Sequence, residues 1–311
     1  MLQAAARACR HRPDAAARVA RFLGASAMPD GGFPDRSGAS DLYYTVFGLQ
    51  AVAALRGGQE SLRGGQESAR GGSPGPPRTG VGIEHAAQRY LRSFADVAAL
   101  DFVHTCCLAR CWALLAIGRP DAPVRQAILG HLESWRSSDG GYNATAGADA
   151  GTAYANFLAL GTYEDLASPP AEPAGLVLSL AGLRSADGGY ANTPGAARGS
   201  TSATAAALVT LRELGQPVDR RAADWLIAQH CPEGGFRAMP AAPMPDLLST
   251  ATALHALAQA GASVDGMRGP CRKFVEGLWG DDGGFRGHSA DDAADCEYTF
   301  YGLLALGHLA T

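Results

Sequence analysis

The chain has 311 residues, of which 47% are hydrophobic and 18% are charged, and its formal net charge is −4. This slight negative charge excludes the basic surface that nucleic acids and anionic membranes require, so no nucleic-acid partner is expected. No apolar run reaches the roughly 18–20 residues of a transmembrane helix. The composition therefore predicts a soluble protein with a large core and no transmembrane segment.

The first segment, residues 1–21, is rich in Ala and Arg. It lacks the apolar stretch and the cleavage site of a targeting peptide, so we predict that it forms the first outer helix of the fold. The seven cysteines are an odd number and are scattered along helical patterns. They predict buried thiols in a reducing compartment, and hence a cytoplasmic protein.

A tetrad of an acidic residue, two glycines and an aromatic residue recurs along the chain. The five copies begin at Asp30, Asp139, Asp187, Glu233 and Asp282. The last four follow one another at intervals near 50 residues, and the first gap is about twice as long, so one copy has been lost. The paired glycines supply the positive φ that ends a helix and turns the chain. A fixed period of this length predicts stacked supersecondary units that share one core.

Each unit consists of one helical pattern before the tetrad and a second, rich in small residues, after it. The Ala and Leu residues recur at 3.6-residue spacing, which favours helices over propeller strands. Six inner helices are predicted to begin near Asp41, Asp101, Asp149, Ser200, Asp246 and Asp295. We therefore predict an all-α fold, an α/α toroid of six helical hairpins (an (α/α)6 barrel), as a single domain over residues 1–311. The low-complexity residues 56–80 are predicted to be a disordered surface loop.

Repeated helix pairs joined by DGGF and DGGY loops resemble the αα-toroid superfamily of protein prenyltransferase β-subunits and terpene cyclases, built from the prenyltransferase and squalene cyclase repeat. The resemblance covers nearly the whole chain. It implies a central cavity, an isoprenoid diphosphate or a related lipid as the ligand, and an α-subunit-like protein partner.

Three inner-helix starts are similar to helices of the prenyltransferase β-subunits. The DLYYT segment from Asp41 resembles the family's Asp-x-Cys-Tyr-Ser helix, which supplies two zinc ligands and a tyrosine that contacts the diphosphate. The DFVHTC segment from Asp101 resembles the Asp-x-x-His-Thr helix, which supplies the third ligand. The DCEYTFYGL segment from Asp295 resembles the Tyr-Thr-Phe-x-Gly-Leu helix beside the diphosphate pocket. These helices belong to units one, two and six, so a circular permutation in a closed ring would make them neighbours.

The resemblance, together with the aromatic residues placed along the inner helices, predicts a set of site residues. The catalytic candidates are Asp41, Tyr44, His104 and Asp295, and Asp41 and His104 are also the candidate metal ligands. The candidate substrate-binding residues are Arg36, Tyr43, Phe47, Trp112, Tyr154, His288 and Tyr298. We expect the prenyl tail to lie against Tyr298, Phe47 and Trp112, because aromatic faces suit an isoprenoid chain. The diphosphate would lie at the rim near Arg36, Tyr44 and His288.

The chain departs from the family at the metal site. Tyr43 stands where the family has its ligating cysteine, and two ligands do not hold zinc firmly. Cys107 and Cys111 share a helical face with His104 and offer thiols for a different site. Residues 291–295 spell DDxxD, a pattern that binds Mg²⁺ in other isoprenoid enzymes. Zinc and magnesium are therefore the candidate cofactors, the zinc site is incomplete, and the cofactor stays undetermined.

Three functions remain open from the sequence. The leading hypothesis is a prenyltransferase β-subunit-like protein that binds an isoprenoid diphosphate and catalyses prenyl transfer. The first alternative is a terpene cyclase-like enzyme, although the DxDD acid of such cyclases does not occur in the sequence. The second alternative is a non-catalytic toroid that binds a lipid or a peptide. The sequence leans towards an enzyme, and the fold alone does not choose among the three.

Overall fold

The computed structural model describes residues 1–66, 79–116 and 118–310. Its α-helices are α1 Leu2–His11, α2 Pro13–Ser26, α3 Leu42–Gln66, α4 Thr79–Arg92, α5 Phe102–Leu114, α6 Ala122–Glu133, α7 Ala153–Asp165, α8 Pro173–Gly182, α9 Thr201–Glu213, α10 Arg220–Ile227, α11 Leu247–Gln259, α12 Arg268–Gly277 and α13 Cys296–Leu309. Three two-residue antiparallel hairpins precede α3, α11 and α13; their strands are β1 Phe33–Pro34 with β2 Ser40–Asp41, β3 Phe236–Arg237 with β4 Pro245–Asp246, and β5 Phe285–Arg286 with β6 Ala294–Asp295.

Six inner helices form a closed ring. Helices α3, α5, α7, α9, α11 and α13 each pack against the next, and α13 packs against α3. The outer helices α2, α4, α6, α8, α10 and α12 alternate with them along the chain. This arrangement confirms the predicted α/α toroid, and it makes α13, α3 and α5 consecutive in the ring, as the predicted site requires.

The amino-terminal segment is divided into two helices, which corrects the single outer helix predicted over residues 1–21. Proline at position 13 starts the outer helix α2, since a first-turn proline needs no backbone N–H donor. Helix α1 instead packs against α3 and α13. Its approach depends on Gly307, where a Cβ would lie 1.7 Å from the carbonyl oxygen of Ala4.

The tetrads form turns of one design. In the four tetrads that begin with aspartate, the acidic side chain accepts a hydrogen bond from the second glycine N–H, as Asp139 does from Gly141 at 3.0 Å. The aromatic N–H then donates to a polar side chain in the following inner helix, as Phe285 does to Thr299 at 3.1 Å. The aromatic rings are buried at all five copies. Each tetrad thereby anchors the start of an inner helix to the turn before it.

The turns also link neighbouring units around the ring. The first glycine of each tetrad has positive φ and touches the next outer helix; a Cβ at Gly31 would lie 2.0 Å from the Ala86 carbonyl oxygen of α4. The last turn closes the circle, since Gly283 packs in the same way against Arg18 of α2. The unit that lost its tetrad has a 3₁₀ turn at Val97–Ala99, which packs against α6.

Two boundary predictions need correction. Helix α7 is capped by Thr152, whose side chain accepts from the Ala155 N–H, rather than starting near Asp149. The predicted loop 56–80 is too long at both ends, because residues 56–66 continue α3 and α4 begins at Thr79. Residues 67–78 lie outside the described part of the chain. Among the helices that the structure describes, none combines the length and apolarity needed to cross a membrane.

Candidate functional site

The inner helices enclose a central cavity with two adjoining chambers. The larger chamber has a volume of about 440 Å³ and the smaller about 90 Å³. The two share Met1, Tyr43, Tyr154, Phe157 and Tyr301 in their walls. Together they fall within the range of about 300–1,000 Å³ that is usual for small-molecule sites.

The two sides of the cavity differ in side-chain size. On the α3 side, the Phe47 ring lies 5.0 Å from that of Tyr43 and 5.3 Å from that of Tyr301, which makes an aromatic wall. On the opposite side, α9 and α11 contribute small residues such as Ser202, Ala206 and Thr252 to the larger chamber. The open space thus lies against the two helices whose small residues can leave room for a ligand.

A buried carboxyl group lies where α13 meets α3, here called the α13–α3 seam. Glu297, in the first turn of α13, is 9% exposed, and its Oε1 accepts a 2.6 Å hydrogen bond from the Tyr43 hydroxyl. Burial raises the pKa of Glu297; the Tyr43 hydrogen bond opposes that rise, and the nearby Asp295 carboxylate adds to it. Tyr43 and Tyr301, which lies one turn below Glu297, both line the cavity, so this protonatable group lies one hydrogen bond behind the cavity wall, beside its upper end.

Arg36 is tied to the same seam by ion pairs. Its Nη2 lies 2.8 Å from the Asp291 carboxylate and its Nε donates to Asp295 at 3.1 Å. Its guanidinium carbon also lies 5.5 Å from the Tyr298 ring centroid. The hydrogen bonds to Asp291 raise the pKa of Arg36, and its charge is already balanced by two carboxylates.

A second polar cluster lies where α3 meets α5, here called the α3–α5 seam. The His104 Nε2 lies 3.0 Å from Asp41 Oδ2, and its Nδ1 lies 2.8 Å from Asp101 Oδ2. Burial lowers the pKa of His104, but its hydrogen bonds to Asp41 and Asp101 outweigh burial and leave the pKa above its ordinary value. This imidazole is therefore held between two carboxylates at the rim.

The α3–α5 seam does not fit a zinc ion. The His104 nitrogen and the Asp41 oxygen are bonded to each other, and the Tyr43 hydroxyl points to Glu297 instead. Cys107 and Cys111 are buried, and burial raises the pKa of both thiols well above the ordinary value, so neither presents a thiolate to the seam. Nowhere in the described ranges do three or more His, Cys, Asp or Glu side chains converge to hold a metal.

The model of one family, described as the prenyltransferase alpha-alpha toroid domain, matches residues 14–70, 100–231 and 203–310. The chain belongs to this family. The type II terpene cyclase MstE from Scytonema is similar in structure, with a TM-score of 0.65, 14% identity, and coverage of 100% of this chain and 98% of that one. A protein from Actinoplanes has a TM-score of 0.61 and 17% identity over 96% of this chain and 100% of its own.

A further similar structure is that of the Candida albicans protein geranylgeranyltransferase-I complexed with GGPP. Its TM-score is 0.53 at 14% identity, with 71% of this chain and 70% of that chain covered. Identities this low show a common fold and nothing finer. A comparison with curated proteins found no match.

Several predicted site residues of this prenyltransferase-type toroid do line its cavity. Tyr43, Phe47 and Tyr154 lie in the walls, and Phe47 is also packed against Phe300. Tyr44 lies beside Tyr43 at the rim, with ring centroids 5.6 Å apart, and burial raises its pKa. The sequence therefore located the aromatic wall contributed by α3.

Two residues predicted to contact the prenyl tail are not among the residues that line the two chambers. Trp112 is buried in the core, because it lies nine positions after the cavity-lining Val103, which turns it about 180° around α5. Tyr298 lies at the rim, where its ring is held between the Arg36 guanidinium and Gly287. A Cβ added at Gly287 would lie within 2.5 Å of the Tyr298 ring. In α13 the cavity wall is formed by Phe300 and Tyr301 instead.

The proposed diphosphate end of the cavity is also rearranged. Asp295 caps α13 by accepting from the Tyr298 N–H at 2.8 Å, and it shares Arg36 with Asp291. His288 lies in the loop between β5 and β6, where its Nδ1 accepts from the Ala290 N–H. Arg36 is thus paired with carboxylates and His288 with a backbone N–H, so the structure offers less free positive charge here than the sequence predicted.

The sequence interpretation missed Glu297. A signal was present: among the inner helices that the structure describes, only α13 has an acidic residue in its first turn. A carboxylate in the first turn is favoured by the helix dipole, so its presence there does not by itself indicate a functional role. Only its burial beside Tyr43, 254 residues away in sequence, makes it chemically distinctive.

Proposed function

We propose that this toroid is a terpene cyclase-like enzyme that draws a polyprenyl chain into its cavity and begins cyclisation by protonating the chain's terminal double bond. Glu297 is the proton donor. The observation that carries the proposal is the buried Glu297 carboxyl, which is hydrogen-bonded to Tyr43 in the wall of an aromatic-lined cavity. The DxDD sequence is not needed for this step if another carboxylic acid is held protonated in the same kind of place.

The environment of Glu297 suits proton transfer to carbon. Burial raises its pKa and keeps the proton on the carboxyl, while the Tyr43 hydroxyl donates to Oε1 and stabilises the carboxylate that the transfer leaves behind. The proton adds to the less substituted carbon of the terminal double bond. The tertiary carbocation that results is then attacked by the next double bond, which closes a ring.

The cavity wall suits the intermediate. Tyr43, Phe47 and Tyr301 form a continuous aromatic wall below Glu297, and Tyr154 and Phe157 are on α7. Aromatic faces attract positive charge by about 0.5–2 kcal/mol each when water is excluded. A carbocation that migrates along the chain would therefore stay close to electron-rich rings.

The structural relatives add support of a coarser kind. A variant of MstE in complex with geranylgeranyl dihydroxybenzoate, its substrate, covers 97% of this chain at 13% identity. The cyclase structures cover more of the chain than the geranylgeranyltransferase does. A ligand with a C20 prenyl chain is thus a reasonable first substrate for assay.

Prenyl transfer from a diphosphate is the second candidate, favoured by the likeness to the geranylgeranyltransferase and by the rim position of Arg36. Transfer needs positive charge on the leaving diphosphate. Arg36 already pairs with Asp291 and Asp295, so a diphosphate would have to displace two carboxylates. We therefore place this function, which the sequence alone favoured, behind cyclisation.

The test is an incubation in D₂O with geranylgeranyl dihydroxybenzoate, and separately with geranylgeranyl diphosphate. Cyclisation is an isomerisation that gains one proton from the acid and loses one elsewhere, so the product should be one mass unit heavier than in H₂O. Release of diphosphate without incorporation of deuterium would support prenyl transfer instead. Tight binding of both ligands without any conversion would indicate a non-catalytic lipid-binding toroid.

A further inference from the structure

Two histidines meet at the end of the cavity opposite Glu297. His255, in the last turns of α11, is 4% exposed and lines the larger chamber. Its Nδ1 lies 3.0 Å from Nε2 of His308, near the end of α13, with ring centroids 5.2 Å apart. With Nδ1 engaged in this contact, Nε2 is the nitrogen left for a ligand in the chamber.

The pair is well separated from the acid. Glu297 and His308 lie eleven positions apart on the same helix, a rise of about 16 Å. The acid and the imidazole pair therefore lie at the two ends of the chamber walls. A prenyl chain extended between them would place its first protonated carbon near Glu297 and its last cationic carbon near His255.

Burial keeps both imidazoles neutral. It lowers the pKa of His255 to about 3 and that of His308 to about 4. A neutral imidazole has one nitrogen with a free lone pair and one that carries a proton. When Nδ1 of His255 donates to Nε2 of His308, the lone pair of His255 is on Nε2.

We infer that His255 is the base that ends the proposed cyclisation, and that His308 positions it. This inference rests on the proposed function. In the terminating step, a C–H bond beside the final carbocation breaks, its electron pair forms a carbon–carbon double bond, and the proton moves to Nε2 of His255. The Nδ1–H of His255 meanwhile donates to His308, which fixes the ring's orientation. The product is a cyclic alkene, rather than the alcohol that capture by water would give.

The return of the proton follows from the same environment. A carbocation is so acidic that even a weak base removes its proton, so the low pKa of His255 does not prevent this step. That low pKa makes the imidazolium a strong acid once the reaction is over. The proton on Nε2 is then lost to water that enters the chamber after the product leaves, which restores the lone pair on Nε2.

Another basic group lies at this depth and must be distinguished from His255. Asp165 lines the smaller chamber, and burial raises its pKa to about 6. Its Oδ2 accepts a 2.6 Å hydrogen bond from Nε of Arg110, so its charge is paired. Asp165 also opens onto the chamber with the smaller volume, which favours His255 as the terminating base.

The test measures the ratio of alkene to alcohol among the products formed from geranylgeranyl dihydroxybenzoate. In His255→Asn and His255→Gln, the ratio of alkene to alcohol should fall by at least tenfold. His308→Asn should shift the ratio in the same direction by a smaller factor, because His255 keeps its lone pair but loses its fixed orientation. Thermal unfolding of each variant checks that the ring has formed.

The matched control is His230→Asn. His230 is half-buried and, like His255, has a pKa that burial lowers, but it packs against Phe236 outside the cavity. An unchanged ratio in both His255 variants, an equal shift in His230→Asn, or a shift in Asp165→Asn alone would overturn the role of His255. A wild-type protein that leaves the substrate unconverted would overturn the proposed cyclisation, and the role of His255 with it.

Discussion

The α13–α3 seam and the α3–α5 seam are built alike and behave differently. Each has an aspartate N-cap: Asp295 accepts from the Tyr298 N–H and Asp101 from the His104 N–H, both at 2.8 Å. At the α3–α5 seam, the neighbouring side chains form a half-exposed set of paired charges. At the α13–α3 seam, the next acidic side chain, Glu297, is buried and accepts a hydrogen bond from Tyr43, which lines the cavity. The same capping hydrogen bond thus starts a helix at both seams. The buried Glu297 carboxyl then provides a candidate proton donor at the α13–α3 seam.

The largest expected effect is on the rate of cyclisation, and it should distinguish a variant in the α13–α3 seam from one in the α3–α5 seam. Glu297→Gln keeps the side-chain shape but has no proton to give, so cyclisation should slow by roughly 10²- to 10⁴-fold. Asp101→Asn, in the other seam, should change the rate by less than about threefold. Turnover of geranylgeranyl dihydroxybenzoate by both variants is the measurement. Equal losses would show that the seams do not differ as proposed.

Tyr43→Phe should have the next largest effect, because it removes the hydrogen bond to Glu297 Oε1. We expect the maximal rate to fall about tenfold, as for the loss of one hydrogen bond of roughly 1–1.5 kcal/mol. The rate depends on protonated Glu297 and so declines as pH rises through its pKa. Since the Tyr43 hydrogen bond lowers that pKa, the decline should move to higher pH in the variant. A pH–rate profile that falls without moving would mean that Tyr43 only shapes the cavity.

At the α3–α5 seam we expect an effect on stability instead. The raised pKa of His104 means that its pairing stabilises the fold fully below the ordinary histidine pKa and is lost as pH rises through the folded value. Urea unfolding at pH 6 and pH 9 should show this loss, about 0.5–1 kcal/mol, in the wild type and not in His104→Gln. His230→Gln is the control, since the lowered pKa of His230 gives the opposite dependence on pH.

The smallest expected effect is that of zinc. Asp41 and His104 bond to each other and no thiolate is nearby, so zinc should not survive dialysis against a weak chelator in stoichiometric amount. Metal analysis of the wild type and of His104→Ala should give the same low content. Stoichiometric zinc that disappears in His104→Ala would contradict this prediction and would require a thiol such as Cys107 to complete the site.

The sequence predicted features that depend on local spacing. The tetrads predicted the period, the helical pairs and the ring, because each turn needs glycine at a positive φ and an aromatic residue beneath it. The same spacing located the inner-helix start at Asp41 and the aromatic wall at Tyr43 and Phe47. It failed for Trp112, whose side of α5 could not be assigned because that helix is apolar nearly all round.

By itself, then, the sequence determined the toroid and the helix starts that meet at its rim, since these follow from patterns within some 50 residues. The tertiary structure decided which groups are free to react. Arg36 is neutralised by carboxylates 255 and 259 positions away, and Tyr43 meets Glu297 across 254. His255 and His308 likewise meet only because α11 packs against α13. Charge, protonation and exposure are set by neighbours that the closing of the ring brings together, and no local pattern contains them.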